Sequence, residues 1–553
     1  MADFRQSAPI SQRMLADHLL LNGRITTLDA DCPRASALAI AGDRVLAVGD
    51  PSTTDVPSAP GRCLRDFLAP GGTVLDLGGR CVLPGLADSH VHFASYALSR
   101  RALDLAGAAT LGEVLALVAE RARETGPGEW IVGLRWDQER WPERRFPTVA
   151  DLDGVAPGHP VMLRAKSGHA LVANSLALHL AGVTVETVDP PGGRIGRDSE
   201  GCPDGMLFED SAMSLVADLV PPPGPEETDD ALRQAFPSAW RVGLTAIHDM
   251  DGLSAFTAYR RLHARRELGL RVIKVLPAGA LDRALEVALR AGPGDDWLRV
   301  GGIKVFADGA LGPRTAAMLA PYAGEPENVG VVTTDGDTLR ALARRAAADG
   351  LPLAVHAIGD RANRTVLDAL AGVGEPGPGR LRQRIEHVQL LHPDDVGRLA
   401  ALGVTASMQP IHATQDCEMA DRYWGDRCAT GYAWRSLLEA GTVLAFGSDC
   451  PVEDLNPFVG IHAAVTRRRA DGFPGPEGWY PRQRLTVEQA LRAYTLGAAY
   501  AAGVEDRLGS LAPGKLADLV VLDRDIFACD PMAIAETRVV ATMIGGRFVY
   551  GDV

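Results

Sequence analysis

Short apolar runs recur through the middle of the chain, and each is long enough for one buried β-strand. Eight of them stand out, at residues 84–92, 244–250, 271–277, 300–309, 351–359, 383–391, 404–410 and 443–449. Most are separated by stretches of helical periodicity, such as 338–350 and 393–403, which end at a glycine. This alternation indicates parallel βαβ units, and eight of them predict an α/β fold with a TIM-like (β/α)8 barrel.

The two ends of the chain have a different pattern. Residues 18–82 form short strand-like runs joined across Gly, Asn or Asp, and residues 515–523 and 539–553 do the same. Each piece is short for an independent sheet. We therefore expect residues 16–83 and 506–553 to form one small β-sandwich domain, with the barrel domain spanning 84–505.

The first two predicted barrel strands are unusually far apart. About 150 residues separate them, and a structureless loop of that length is implausible inside a compact protein. The chain from about 95 to 240 is therefore predicted to form an inserted subdomain after the first barrel strand.

Composition narrows the class of protein. The chain has 553 residues, a formal net charge of −14 and 46% hydrophobic residues, which is typical of an enzyme and argues against a cationic nucleic-acid-binding surface. Its eight cysteines form no C-x-x-C pair, and no apolar run resembles a signal peptide or a membrane span. These features predict a cytoplasmic protein that acts on a small molecule, without nucleic-acid or membrane partners; a homo-oligomer remains open.

Imidazole and carboxylate side chains recur at the ends of the predicted barrel strands. His90 and His92 share one face of the first strand, and His356, His387 and Asp449 end the fifth, sixth and eighth. Any one of them could be a structural histidine or a helix-capping aspartate. Together, at the barrel edge where such folds place chemistry, they favour a site for one or two divalent ions, with zinc the expected metal.

Lys304 lies within the fourth strand, with Asp308 on the same face. A protonated amine has no lone pair and cannot bind a metal, whereas a buried lysine can have a lowered pKa and react with carbon dioxide. The resulting carbamate is an oxygen ligand. The alternative is an ion pair between Lys304 and Asp308, which spacing alone favours.

Five segments resemble the metal-site signature of the amidohydrolase superfamily: PGLADSHVH, IKVFADG, AVHAIGD, RIEHVQ and FGSDCP. Four others resemble the amidohydrolase 3 (YtcJ-like) family: WDQERW, SGHALVANSLAL, DGALGPRTAAML and GSDCPVEDLNPFVGIHAAVTRR. The resemblance runs from about residue 16 to 550. It implies one metal held by His90, His92 and Asp449, a second held by His356 and His387, and a carboxylated Lys304 bridging both.

The same resemblance implies hydrolysis of a non-peptide C–N bond in an amide, an N-formyl or N-acyl amine, or a cyclic amide. Metal-activated hydroxide would attack the carbonyl, and Asp449 would pass its proton to the leaving nitrogen. His169, Asn174 and Arg314 are weaker candidates for substrate binding, with internal hydrogen bonds or a loop ion pair as their alternatives.

Two other functions stay open. One is a mononuclear aminohydrolase that deaminates a heterocycle, although such sites need no bridging lysine. The other is a non-catalytic scaffold, although no ligand position is substituted.

Overall fold

The computed structural model describes residues 15–51, 63–138, 141–166, 170–190, 193–208, 210–278, 294–373 and 382–553, together with Asp282 and Glu286. The chain divides into two compact units. One is Ser95–Leu232, and the other consists of the chain before Ser95 and the chain from Arg233 onward.

The second of these units contains a barrel of parallel strands. In the described part of the chain, eight strands form one sheet in which each pairs with its neighbours along the chain. They are Leu86–Val91, Leu244–Asp249, Arg271–Pro277, Leu298–Phe306, Leu353–Ala357, Arg384–His387, Thr405–Met408 and Leu444–Phe446. Seven of the eight lie within the predicted segments, and the fourth begins two residues before its own, so the predicted α/β barrel is confirmed.

The first and eighth strands meet at their carboxyl ends. The Asp449 N–H donates to the His90 carbonyl over 2.7 Å, and the His92 N–H donates to the Cys450 carbonyl over 2.9 Å. Gly447 permits this approach, because a Cβ at that position would lie 2.5 Å from the His90 nitrogen. These two hydrogen bonds therefore join the first and last strands at the edge of the barrel that carries the candidate ligands.

Helices follow most of the strands. Asp335 caps the helix after the fourth strand with its carboxylate, and Gly350 (φ 75°) lies just beyond its end. The helices of the barrel region are Phe93–Ser99, Leu253–Ala264, Gly336–Ala348, Asp360–Leu370, Arg398–Ala401, Pro410–Gln415, Cys417–Trp424, Trp434–Glu439, Pro457–Thr466, Val487–Arg492 and Ala498–Ala501.

Strands from both chain ends share one sheet, as predicted. Its order is Arg547–Tyr550, Val539–Ile544, Leu519–Leu522, Cys81–Pro84, Arg24–Thr26 and Arg34–Ala35. The other terminal sheet has the order Arg44–Gly49, Ala37–Ala41, Ala16–Leu21 and Leu68–Asp76. Leu20 and Ile40 of one sheet belong to the same buried core as Leu519 and Met543 of the other, which makes the pair a β-sandwich.

The inserted unit has its own mixed sheet and core. The strand order is Arg194–Arg197, Pro203–Phe208, Ala170–Ala173, Val161–Ala165, Ile131–Trp136 and Leu103–Asp104. Its helices are Leu111–Glu124, Val149–Asp153, Ser175–Leu180 and Asp210–Ala217, followed by Pro225–Trp240. Trp136 and Trp141 lie in its core. Among the residues that the structure describes, no helix combines the length and apolarity of a membrane span. The predicted domain boundaries stay predictions.

Candidate metal centre

Three predicted ligands from different strands lie closest together. One potential ligand atom each from His90, His387 and Asp449 falls within 4.8 Å of the others, and all three residues are buried. Asp449 Oδ1 lies 3.5 Å from Nε2 of His90 and also 3.5 Å from Nε2 of His92. His356 adjoins the group, with its ring centroid 4.6 Å from that of His387. The structure therefore brings together the predicted histidine and aspartate ligands of four strands.

Each of these four histidines is oriented by a protein oxygen. The contacts are His90 Nδ1 with Glu386 (2.6 Å), His92 Nδ1 with Asp251 (3.2 Å), His356 Nε2 with the Gly309 carbonyl (2.9 Å) and His387 Nδ1 with Gln409 Oε1 (2.8 Å). These oxygens only accept, so the histidine nitrogen donates in every case. The other ring nitrogen of each neutral imidazole keeps its lone pair, which is the arrangement typical of metal-binding histidines.

The charge states of His90, His356 and Asp449 suit a divalent ion. Burial lowers the pKa of His90 to about 4 and that of His356 to about 3, so both are neutral near pH 7. In His92 the effect of burial is outweighed by the hydrogen bond to Asp251 and the charge of Asp449, which raise its pKa. In Asp449 burial acts in the other direction and favours a higher pKa. The hydrogen bond from His412 and the charges of the adjacent histidines outweigh it and hold the pKa of Asp449 well below its usual value.

Imidazole nitrogens and an ionised carboxylate are the donors that zinc and similar divalent ions prefer. The residues present therefore fit a divalent metal.

Strained backbone shapes the site at two strand ends. His387 has φ 74° and Asp449 has φ 60°, both in the left-handed region that side chains other than glycine rarely adopt. Arg384 and Glu386 alternate along the sixth strand, so regular alternation would turn His387 to the opposite face. Its left-handed conformation lets both Glu386 and His387 reach His90. Such strain is often found at functional sites.

Sequence reasoning missed the charged network behind His90. Glu386 is fully buried and accepts from the Arg384 guanidinium as well as from His90. Arg384 also donates to the Ser89 carbonyl, to Ser407 and, over 2.8 Å, to Nδ1 of His248. Arg384 and Glu386 lie two apart in a buried strand, and that pairing of opposite charges was the signal that could have found them.

Lys304 lies in a different environment from the expected ion pair. It is 4% exposed, and burial lowers the pKa of its amine to about 8. The carboxylate of Asp308 instead accepts three backbone N–H groups, from Ala317, Ile358 and Gly359. Among the described residues Lys304 has no hydrogen bond or ion pair through its side chain; its amine lies 5.1 Å from the centre of the Phe306 ring. The spacing-based alternative of a Lys304–Asp308 pair is not formed.

The weaker substrate-binding candidates have other contacts. Asn174 is fully buried; its oxygen accepts from the N–H groups of Val161 and Ala177, and its amide donates to two carbonyls of the inserted unit. Arg314 forms an ion pair with Glu325. These contacts match the alternatives stated above, and substrate binding by either residue stays a prediction. His169 lies outside the described residues.

The fold, the site geometry and sequence similarity together indicate the class of enzyme. A (β/α)8 barrel with histidine and aspartate side chains gathered at its strand ends is typical of a metal-dependent hydrolase. The model of the amidohydrolase family matches residues 73–550, and the chain belongs to that family. This confirms the predicted family and enzyme class, a hydrolase acting on C–N bonds.

Relatives extend over most of the chain. It is 34% identical to the putative amidohydrolase YtcJ of Bacillus subtilis, over 88% of this chain and 92% of that protein. It is 31% identical to an N-substituted formamide deformylase of Arthrobacter pascens, over 97% and 98%. The solved structure of a metal-dependent hydrolase from Pyrococcus furiosus superposes with a TM-score of 0.76 at 30% identity, covering 92% of this chain and 99% of that one.

Proposed function

We propose that this protein hydrolyses the C–N bond of an N-formyl or N-acyl amine with the help of bound divalent metal, zinc in the first instance. The observation that carries the proposal is the set of four histidines. In each, one ring nitrogen donates a hydrogen bond to a protein oxygen, and the lone pair of the other nitrogen is available to bind a metal. Two further observations support it: the ionised Asp449 among them and the 31% identity to an N-substituted formamide deformylase.

The ligands divide into two groups. His90, His92 and Asp449 would hold one ion, because Asp449 Oδ1 is equidistant from the two imidazoles. His356 and His387 would hold a second, with Lys304 bridging both ions as a carbamate. The reaction of its amine with carbon dioxide forms one N–C bond and releases one proton, leaving a carboxylate. When bound, a divalent metal supplies a Lewis acid and lowers the pKa of a bound water towards 7.

Asp449 is the proposed proton carrier. It is buried and ionised, so it can accept a proton from the attacking water and deliver it to the leaving nitrogen. His90 and His387, which lie beside it, are also buried. The products would be a carboxylic acid, formate in the simplest case, and a free amine.

A substrate panel tests this function. Protein purified in zinc is assayed on N-formyl and N-acyl amines for acid plus amine, and on aminated heterocycles for ammonia. We expect amine release that stops after chelation and returns with zinc. Ammonia release from a heterocycle would replace the proposal with the mononuclear aminohydrolase, and full activity in metal-free protein would remove the metal from the mechanism.

The role of Asp449 is tested by Asp449→Asn. The variant keeps the size and one oxygen of the side chain but lacks the base, so we expect turnover to fall by about 10²–10⁴-fold. Metal content, measured on the same sample, should fall much less. Near-normal turnover with zinc bound would assign proton transfer to another residue.

A further inference from the structure

The seventh barrel strand supplies none of the proposed ligands, yet the segment after it contacts two of them. Gln409 follows that strand and begins the helix Pro410–Gln415, which contains His412. Gln409 holds Nδ1 of His387 from the sixth strand, and His412 contacts Asp449 beyond the eighth. One short segment thus reaches ligands on both neighbouring strands.

His412 is a further buried histidine beside Asp449, and it contacts the other carboxylate oxygen from the one near His90 and His92. It is 6% exposed, and both of its ring nitrogens face carboxylates. Nε2 lies 3.3 Å from Asp449 Oδ2, and Nδ1 lies 3.8 Å from an oxygen of Glu453. A carboxylate oxygen only accepts, so Nε2 donates to Asp449 Oδ2, whereas Nδ1 is beyond hydrogen-bond distance of Glu453. His412 therefore acts here as a hydrogen-bond donor to Asp449.

The contact distinguishes the two oxygens of Asp449. Oδ2 is the one that His412 holds, whereas Oδ1 is the one that lies 3.5 Å from both His90 and His92. A carboxylate free to rotate could exchange the two. A fixed partner for Oδ2 stops this rotation and so keeps Oδ1 among the imidazoles.

We propose that His412 is a positioning residue, which fixes Asp449 with one oxygen towards the metal centre and is itself oriented by Glu453. The inference rests on the proposed metal centre. Residues that orient a ligand from behind typically contribute about 10–100-fold to metal affinity or activity.

The test compares His412→Leu with His412→Gln. Leucine fills space without donating, whereas the glutamine amide can restore an N–H near the position of Nε2. Zinc affinity of the metal-free protein is measured by competition with a chelator, and kcat and KM are measured on the best substrate. We expect His412→Leu to lose about 10–100-fold in zinc affinity or kcat, with KM little changed. His412→Gln should recover most of that loss.

His462→Leu is the matched control. His462 is also a buried histidine, in the helix Pro457–Thr466, and Nε2 of its ring lies 3.5 Å from the hydroxyl of Thr466 in the same helix. This variant should match wild type in zinc affinity and kcat, which separates loss of the Asp449 contact from loss of any buried imidazole.

Three results would overturn the positioning role: wild-type zinc affinity and kcat in folded His412→Leu, a glutamine variant as defective as leucine, or an equal loss in the control. If His412→Leu does not fold, Glu453→Ala replaces it, since Glu453 is partly exposed. That variant should lower kcat without changing KM, and an unchanged kcat would reject the proposal. Wild-type protein that binds no zinc would instead reject the proposed function.

Discussion

Two lysines on neighbouring barrel strands share the local sequence Ile-Lys-Val but have different surroundings. Lys274 of the third strand is fully buried, and its ammonium forms an ion pair with Asp249 at 2.8 Å and donates to the carbonyls of Asp249 and Val275. Lys304 of the fourth strand is nearly as buried, yet its side chain has no hydrogen bond or ion pair within the described part of the chain.

The two lysines differ in what replaces the water that each amine loses on burial. A buried ammonium is tolerated where a carboxylate and carbonyls replace the water it has lost, as around Lys274. Without such partners burial favours the neutral amine, which is why the pKa of Lys304 is lowered to about 8. A neutral amine among candidate metal ligands is the form that can react with carbon dioxide, and this supports the bridging role proposed for Lys304.

Removing the structural lysine should give the largest effect. Lys274→Met leaves the carboxylate of Asp249 buried without its cation, which should lower the free energy of unfolding by about 3–5 kcal/mol. Denaturant unfolding of the metal-free protein measures this change. Lys304→Met is the matched control, with the same substitution in the same tripeptide one strand away, and it should cost far less. Equal unfolding midpoints for the two variants would contradict the comparison.

For activity, the variant of Lys304 should show the large loss, although it is expected to lose little stability. Orienting residues alone contribute about 10–100-fold, so loss of a bridging ligand in Lys304→Met should lower kcat by more than about 100-fold. Metal analysis of the folded variant should show fewer ions than wild type. Short carboxylic acids at high concentration should restore part of the activity of Lys304→Ala by occupying the space left by the carbamate. Normal metal content and turnover would exclude Lys304 from the site and favour the mononuclear aminohydrolase.

A smaller effect is expected from carbon dioxide. Metal-free protein reconstituted with zinc should regain activity more slowly in buffer depleted of carbon dioxide than in bicarbonate, because the amine of Lys304 must first be converted. Labelled bicarbonate should give a carbamate carbon signal by NMR in wild type and none in Lys304→Met. A protein that binds two ions without that signal would reject the carbamate bridge.

Much of the architecture could be predicted because its causes are local. Apolar runs of strand length, helical periodicity and glycine at helix ends are properties of short segments, and all eight predicted strands occur where expected. The candidate ligands could be predicted from their positions at the ends of the predicted strands, since the carboxyl ends of parallel barrel strands share one edge. Glu386 and His412 were missed because what they do depends on His90 and Asp449, which are distant along the chain.

The two Ile-Lys-Val tripeptides show which property of a lysine the sequence predicts and which depends on the tertiary structure. Alternation within a strand is enough to predict that both Lys274 and Lys304 are buried, because it depends on neighbours one and two residues away. Whether each amine meets a carboxylate depends on how the strands pair and where the adjacent strand ends. In the folded barrel the carboxylate of Asp249, at the end of the second strand, reaches Lys274. The carboxylate of Asp308 accepts from backbone N–H groups instead, and Lys304 has no ion pair among the residues that the structure describes.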